Sequence, residues 1–485
     1  MNKSLTDRNA PWRKELRDAM PAAVRTAIPR AVMPVLNPEQ RIHSNEEVNC
    51  GLTAAQAHTE ATRCLDCPDP QCVKGCPVGI DIPAFIKNVQ RDDIGGAATV
   101  LAQTSALPAV CGRVCPQEKQ CESRCIYNRM KKAPVAIGYL ERYAADTARE
   151  NGLTPRQESA APLGIKIAVA GSGPSGLSFA GDMARRGYDV TVFEALHEIG
   201  GVLKYGIPEF RLPNSIVDYE LDNLRRMGVH FEKDTVIGRT LSVDDLANDG
   251  YRAIYIASGA GLPRFMGIPG ENLNGVLSSN EYLTRINLMG AGHPGAMTPV
   301  VKGRRIMVVG GGNTAMDSVR TARRMGADDA VIVYRRSREE MPARAEEICH
   351  AEEEGVRFLT LHNPVEYIGD DSGRVRAVRL QKMRLGEPDA SGRRSPEPIE
   401  GEIVEMPVDA VIVSVGVSPN PLIPSCVDGL EITTRGTIAV DENLRTSLPM
   451  LYAGGDIVRG GATVILAMGD GRRAAEAMHQ ALHQG

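Results

Sequence analysis

Two stretches of this chain repeat one pattern. IKIAVAGSGPSGLSFA and RRIMVVGGGNTAMDSV each run from a short β-branched segment through a glycine-rich turn into a helical pattern, and their first glycines stand 139 residues apart. A second β-branched run follows each of them, DVTVFEA and DAVIVYRR. Strands that alternate with helices form parallel sheets with helices on both faces. Two such units in series predict an α/β fold with two Rossmann-like dinucleotide-binding modules, one for each nucleotide.

In the first unit Gly171, Gly173 and Gly176 form a GxGxxG turn, with Pro174 and Ser175 at the start of the helix. The first glycine permits the tight turn, the second lets backbone approach a pyrophosphate, and the third allows close helix–strand packing. Phosphate then sits at the helix N-terminus, where unpaired N–H groups and the helix dipole favour negative charge. Glu194 ends the second strand, 23 residues after Gly171, where a carboxylate can accept bonds from both ribose hydroxyls. A glycine-rich structural turn would need neither the helix nor the acid.

Near the C-terminus LYAGGDIVRGGATVILAMGDGRRAAEAM places a strand before Gly455 and Asp456 and a helix after Ala462 and Thr463. This resembles the closing motif of two-dinucleotide flavoproteins, in which the aspartate holds the ribityl chain and the helix start faces the ring. The first unit is therefore expected to take FAD, and the second to be inserted within it. In that second unit Gly310, Gly312, Asn313, Thr314 and Ala315 fit the GxGxxA variant of the turn, but the next strand ends in Arg335 and Arg336 instead of an acid. A carboxylate there would repel the 2′-phosphate of NADP, whereas a guanidinium pairs with it. NADPH is the expected nucleotide, against the plainer reading of two arginines on a solvated strand end.

Eight of the eleven cysteines fall between Cys64 and Cys125. They form the runs Cys64-x2-Cys67-x4-Cys72-x3-Cys76-Pro77 and Cys111-x3-Cys115-Pro116-x4-Cys121-x3-Cys125. Zinc sites come as close pairs of cysteines separated by a longer span. Four thiolates within thirteen residues, closed by Cys-Pro, look instead like a ferredoxin run whose fourth cysteine serves another cluster. Two [4Fe–4S] clusters on a small helical domain are expected, fed with electrons by the nucleotide modules. Neither module holds a CxxC, so disulfide chemistry has no residues to run on.

No apolar run approaches the roughly 20 residues of a membrane span. The opening MNKSLTDRNAPWRKELRDAM lacks the apolar stretch of a secretory signal, and the net charge of −4 carries no basic block. A cytoplasmic protein without a nucleic-acid or membrane partner is expected. The domain order predicted is an arm over 1–45, a helical cluster domain over 46–150, a linker over 150–164, the FAD domain over 165–285, the NADPH domain over 286–420 and the returning FAD segment over 421–485.

CLDCPDPQCVKGCPVGIDIP, CGRVCPQEKQCESRC, AVAGSGPSGLSFA, GGVLKYGIPEFRLP, VVGGGNTAMDSVRTA, VYRRSREEMPA and AGGDIVRGGATVILAMGDGR together resemble the small subunits of NADPH-dependent glutamate synthases. The architecture is shared with the NADPH-binding subunits of ferredoxin–NADP transhydrogenases, with sulfide dehydrogenases and with the N-terminal half of dihydropyrimidine dehydrogenase. The resemblance implies that one cluster takes Cys64, Cys67, Cys72 and Cys125. It gives the other Cys76, Cys115, Cys121 and a non-cysteine ligand matched by Glu141, leaving Cys111 spare, and it adds Gly201 to the FAD residues. Counting alone would use all eight cysteines. The function implied is hydride transfer from NADPH to FAD, with no catalytic side chain, then single electrons through the clusters. Their destination would be a large subunit, in a hetero-oligomer, that makes glutamate from glutamine and 2-oxoglutarate. A ferredoxin-type or polysulfide acceptor remains the close alternative, and a non-enzymatic NADPH sensor the distant one.

Overall fold

The β-branched runs form two five-stranded sheets. In this computed structural model, which describes residues 3–156, 159–293, 295–390 and 392–484, the first sheet runs Leu451–Ala453, Tyr251–Ile256, Lys166–Ala170, Asp189–Phe193, His230–Glu232. The second runs Val276–Ser278, Ala410–Val413, Arg305–Val309, Asp329–Tyr334, Arg357–Thr360. All pairings in both sheets are parallel. Helices cover both faces, so Ile167–Ala170 and Ile306–Val309 are buried without alternation. Residues 157 and 158 of the expected linker lie outside the described residues.

The second unit interrupts the first. Ile423, Leu430, Ile438 and Leu451, which follow the second sheet in sequence, pack with Ala168, Ala170, Ile254 and Ile256 of the first. The strand Val276–Ser278 pairs with Val411–Val413, so the chain enters the second sheet before residue 286, the boundary expected from sequence. A three-residue edge strand has no period to read, which is why the earlier crossing left no mark. Between Arg357–Thr360 and Ala410–Val413 lies a three-stranded antiparallel sheet, His362–Gly369, Val375–Pro388 and Arg394–Pro407, that the strand–helix pattern did not anticipate.

The cysteine region is helical, as its period suggests. Helix Ala54–Arg63 starts at a capping box between Thr53 and Gln56, Ile82–Gln90 at Asp81, and Ile94–Ala102 at Asp93. Pro108–Val114 and Ile137–Glu150 complete the group. It shares one apolar core with the first sheet and with the helix Pro174–Arg185. The arm before residue 45 lies on this region as four short helices, Lys3–Thr6, Pro11–Asp18, Ala22–Arg25 and Pro38–Arg41. Among the described residues no helix is long and apolar enough to cross a membrane.

The final helix, Val464–Gln484, lies along Pro174–Arg185. A Cβ at Gly471 would stand 2.4 Å from the Ser175 carbonyl oxygen, and one at Gly469 would stand 2.9 Å from that of Pro77. Both positions are therefore closed to a side chain. Gly471→Ala is expected to lower the thermal midpoint, at a cost of about 1–3 kcal/mol. Gly95→Ala, in a helix where the nearest atom to the new Cβ is 4.0 Å away, should leave it unchanged or raise it. Thermal unfolding of the two variants side by side checks this.

Candidate functional site

The first cleft opens where the strand Lys166–Ala170 meets the helix Pro174–Arg185. Gly171 has φ +113°, and a Cβ there would meet the Ala257 carbonyl oxygen at 2.5 Å, so only glycine fits. Gly176 brings the helix against the turn, since its Cβ would fall 2.1 Å from the Gly171 oxygen. Gly173 has open space instead, with nothing within 4 Å of a Cβ. Packing thus accounts for two of the three glycines, and the third leaves open space at a helix N-terminus. Gly201, at φ +55°, lies close to this turn, since a Cβ there would stand 2.9 Å from Gly173 Cα.

Glu194 is buried and fastened to the turn. Its Oε2 accepts from the Ser172 N–H at 3.0 Å and from the Ser172 hydroxyl at 2.5 Å, and its Oε1 accepts from the Leu196 N–H at 2.9 Å. Across the cleft Gly455 packs on Ser175 and donates its N–H to Asp470 at 3.0 Å. Asp470 is held in turn by Arg459 and Arg473. The Asp456 carboxyl accepts from the Ala462 N–H at 3.2 Å, and desolvation pushes it up to about 6. Pro174 leads the first helix, and Thr463 stands at the start of the last.

Tyr205 also belongs to this cleft. Its hydroxyl is pushed up to about 12, first by desolvation and then by the carboxylates of Glu194 and Asp456. Spacing gave no signal for it, although it stands within GGVLKYGIPEF. Asp470 was likewise missed, hidden inside a helical pattern.

The second turn follows the first in outline. Gly310, at φ +143°, approaches the Ser414 carbonyl oxygen, to which a Cβ would stand at 2.3 Å. Gly312 has only Pro342 near a Cβ, at 4.0 Å, and the helix Asn313–Arg324 begins there, with Thr314 exposed and Ala315 buried. The Asn313 side chain accepts from the Arg344 N–H at 2.8 Å, which ties the turn to the next loop. The two arginines part company. Arg335 is exposed and has no described ion pair, whereas Arg336 is buried, bonded to Asp389 at 2.5 Å and to the Arg394 carbonyl at 2.8 Å in the antiparallel sheet.

The cysteines converge in two groups that interleave the two runs. Desolvation pushes up the thiol of Cys67, to about 11, and that of Cys72; the next causes in both are the charges of Cys64 and Cys125. Cys115 is raised by its hydrogen bond with Cys111, then by desolvation, and it senses Glu141 and Cys121. Cys121 is raised by desolvation, then by Glu122, Glu141 and Cys76. Cys76 itself rises to about 11, by desolvation first. Gly75 permits the interleaving, because a Cβ there would lie 2.8 Å from the Gln120 carbonyl oxygen.

Glu141 bears directly on what these groups can hold. It is buried on the helix Ile137–Glu150, its Oε1 has no hydrogen-bond partner among the described residues, and desolvation pushes it up to about 8. An unpaired buried carboxylate costs several kcal/mol unless a cation meets it. Cys64, Cys67 and Cys72, each raised in part by the charge of Cys125, and three more thiols that gather around an orphaned carboxyl, fit metal centres. Among the described residues no three such side chains converge on a single ion. Cys111 stands beside the second group, hydrogen-bonded to Cys115, with its Sγ 3.5 Å from Met468 Sδ. Cys50, Cys349 and Cys426 are exposed and isolated.

Comparison with known proteins follows the same division. Residues 41–153 match the family described as dihydropyrimidine dehydrogenase domain II, 4Fe-4S cluster, and residues 165–485 match pyridine nucleotide-disulphide oxidoreductase. The glutamate synthase [NADPH] small chain of Azospirillum brasilense is 36% identical over 442 residues, covering 89% of this chain and 90% of that protein. The protein of that name from Escherichia coli is 38% identical over 432 residues, 88% of this chain and 91% of its own length. The NADP(+)-dependent formate dehydrogenase subunit beta of Moorella thermoacetica is 38% identical, over 85% of this chain and 60% of that one. Among solved structures FprA from Mycobacterium tuberculosis in complex with NADPH shares the fold, with a TM-score of 0.56 at 22% identity over 66% of this chain and 85% of that one.

The raised carboxyl of Asp456 has a measurable consequence in the chain free of prosthetic groups. Its ordinary value is 3.8 and its folded value about 6. The folded state therefore binds the proton more tightly, and the stability this gives is complete below pH 3.8 and lost as pH rises through about 6. Asp456→Asn removes that dependence. Its thermal midpoint should gain on the wild type between pH 4 and pH 7, by the equivalent of roughly 1–3 kcal/mol; parallel midpoints across that range would contradict it.

Proposed function

The chain belongs to the family of NADPH-dependent glutamate synthase small chains, and from that membership we propose that it is the NADPH-oxidising, electron-input subunit of such an enzyme. FAD and NADPH supply hydride transfer, and [4Fe–4S] clusters supply one-electron transfer to a large chain that makes glutamate from glutamine and 2-oxoglutarate. The reading includes a cytoplasmic hetero-oligomer. What the chain's own residues contribute is placement and charge.

In the first cleft Gly173, Pro174, Ser175 and the free N–H groups of the first helical turn receive the FAD pyrophosphate, with Gly171 and Gly176 shaping the turn. Glu194 offers its remaining lone pairs to the ribose. Gly201 closes the wall, Gly455 and Asp456 hold the ribityl chain, and Ala462 and Thr463 present the positive helix end to the ring. Gly310, Gly312, Asn313, Thr314 and Ala315 receive NADPH. Arg335 pairs with the 2′-phosphate, while Arg336, already engaged by Asp389, braces the strand end behind it. Cys64, Cys67, Cys72 and Cys125 hold one cluster; Cys76, Cys115, Cys121 and Glu141 hold the other.

The contact between the last helix and the cysteine region carries this reading. Gln120 reaches Thr463 at 3.4 Å and Cys111 reaches Met468 at 3.5 Å, so the flavin end of that helix adjoins the second cysteine group. A two-electron carrier and one-electron centres then share a wall. The likeness to the formate dehydrogenase subunit favours a second reading, in which the same half-reaction serves a partner other than a glutamate-forming chain, a ferredoxin-type acceptor among them.

Purified with its native partner, the protein is expected to oxidise NADPH only when glutamine and 2-oxoglutarate are both present. Dependence on ferredoxin selects the second reading, and failure of the isolated chain to reduce a dye with NADPH would sink both. Arg335→Ser should reduce the preference for NADPH over NADH by about tenfold or more, as loss of a charge-assisted pair requires. Arg336→Ser should reduce it less; a larger effect at Arg336 than at Arg335 would reverse the assignment.

A further inference from the structure

The two cysteine groups stand in shells of different charge. Around Cys64, Cys67, Cys72 and Cys125 the cations gather. Arg25 Nη1 donates to the Cys64 carbonyl at 3.1 Å, and Lys87 Nζ donates to the same oxygen at 2.6 Å and to Gln90 at 2.6 Å. Both side chains are buried. Asp66, between Cys64 and Cys67, is clamped by Arg13 at 2.7 Å and Arg17 at 2.6 Å, while Arg8 bonds its carbonyl at 3.0 Å. The clamp holds Asp66 at φ +52°, a conformation a non-glycine residue seldom adopts. Glu60 is matched by Arg63, and Asp81 caps a helix. Arg13, Arg17, Arg25 and Lys87 thus outnumber the carboxylates of Asp66 and Asp81.

Around Cys76, Cys115 and Cys121 the described residues show no such excess of cations, and two acids are buried there instead. Glu141 and Glu220 are both buried, and no ion pair is described for either. Glu220 accepts from the Ala109 N–H at 2.9 Å and from Asn223 at 3.2 Å, which are neutral donors. Glu122 is the exception, paired with Arg30 at 2.8 Å. This group lies against the last helix. The other reaches outward, with Cys67, Cys72 and Cys125 partly exposed and Pro68 and Asp69 exposed.

A cluster that accepts one electron gains one negative charge and makes or breaks no bond. Buried cations stabilise that added charge and buried carboxylates oppose it. We propose that Arg13, Arg17 and Arg25 of the N-terminal arm, together with Lys87, raise the reduction potential of the cluster at Cys64, Cys67, Cys72 and Cys125 above that of its neighbour, making it the terminal acceptor within this chain. The inference rests on the cluster assignment above. Each electron that NADPH supplies through FAD reduces the inner cluster by one; that cluster is reoxidised by one as the outer cluster is reduced. The arm that furnishes three of the four cations precedes the matched cluster segment 41–153. It is a tuning element rather than a ligand-bearing one.

Redox titration of the full-length, anaerobically prepared chain, followed by electron paramagnetic resonance, tests this. Lys87→Met should shift one of the two cluster signals to lower potential with iron and sulfide content unchanged, and Lys87→Arg should restore it. Glu220→Gln should shift the other signal upward, which tells the two apart. Should Lys87→Met fail to retain iron, Arg17→Gln, at the part-exposed rim of the shell, decides by the same downward shift. Unmoved midpoints in iron-replete variants would overturn the inference and leave the cluster assignment standing. A wild-type chain without iron and acid-labile sulfide would overturn the assignment itself.

Discussion

Helix Val464–Gln484 lies against the glycine-rich turn on one side and the cysteine segment on the other, and these two parts of the molecule can approach only as closely as it allows. Gly471 lets it touch the Ser175 carbonyl and Gly469 lets it touch that of Pro77. Its start faces the proposed flavin cleft, and Met468, one turn on, meets Cys111. A side chain at either glycine would push sheet and cysteines apart, because interiors packed at crystal density do not yield to an extra methyl without strain. The shared apolar core of the helical region and the first sheet follows from that contact.

Charged contacts join the second unit to the rest. Arg211 meets Asp317 at 2.6 Å, and Arg320 reaches Glu347 and Glu354. Phe210 lies under the guanidinium groups of Arg320 and Arg324, at 4.7 and 3.8 Å from its centroid. The arm adds Arg41 to Glu353, and the cysteine region adds Arg344 to the Arg113 carbonyl. Buried pairs of this kind stabilise little compared with apolar packing, but removing one partner leaves an uncompensated charge. They therefore fix an orientation. For two nucleotides that must meet face to face, orientation is the quantity that matters.

Much of this was legible because glycine and cysteine have few uses. Gly171 and Gly310 are dictated by positive φ and by carbonyl oxygens within 2.5 Å of a would-be Cβ, and that requirement shows in sequence as a turn between a strand and a helix. The antiparallel insertion, the edge strand Val276–Ser278 and the place of Tyr205 in the cleft were not legible. Each depends on partners far along the chain, and none leaves a local period. Arg335 and Arg336 illustrate the limit most sharply. They are adjacent and chemically identical, yet one is exposed and the other is bound to Asp389, 53 residues away.

The sequence by itself determined the chemistry available: two nucleotide turns, an acid on one second strand and arginine on the other, and thiols in ferredoxin-like runs. These follow from local stereochemistry and from the charge each group carries, which folding does not change. Only the tertiary structure decided the grouping. It brought cysteines of the two runs together, left Glu141 Oε1 buried without a hydrogen-bond partner among the described residues near Cys115 and Cys121, and set Lys87 and arginines of the arm around Cys64. Those arrangements are fixed by long-range packing and by desolvation, and a linear chain carries no record of which charges will be shut away from water together.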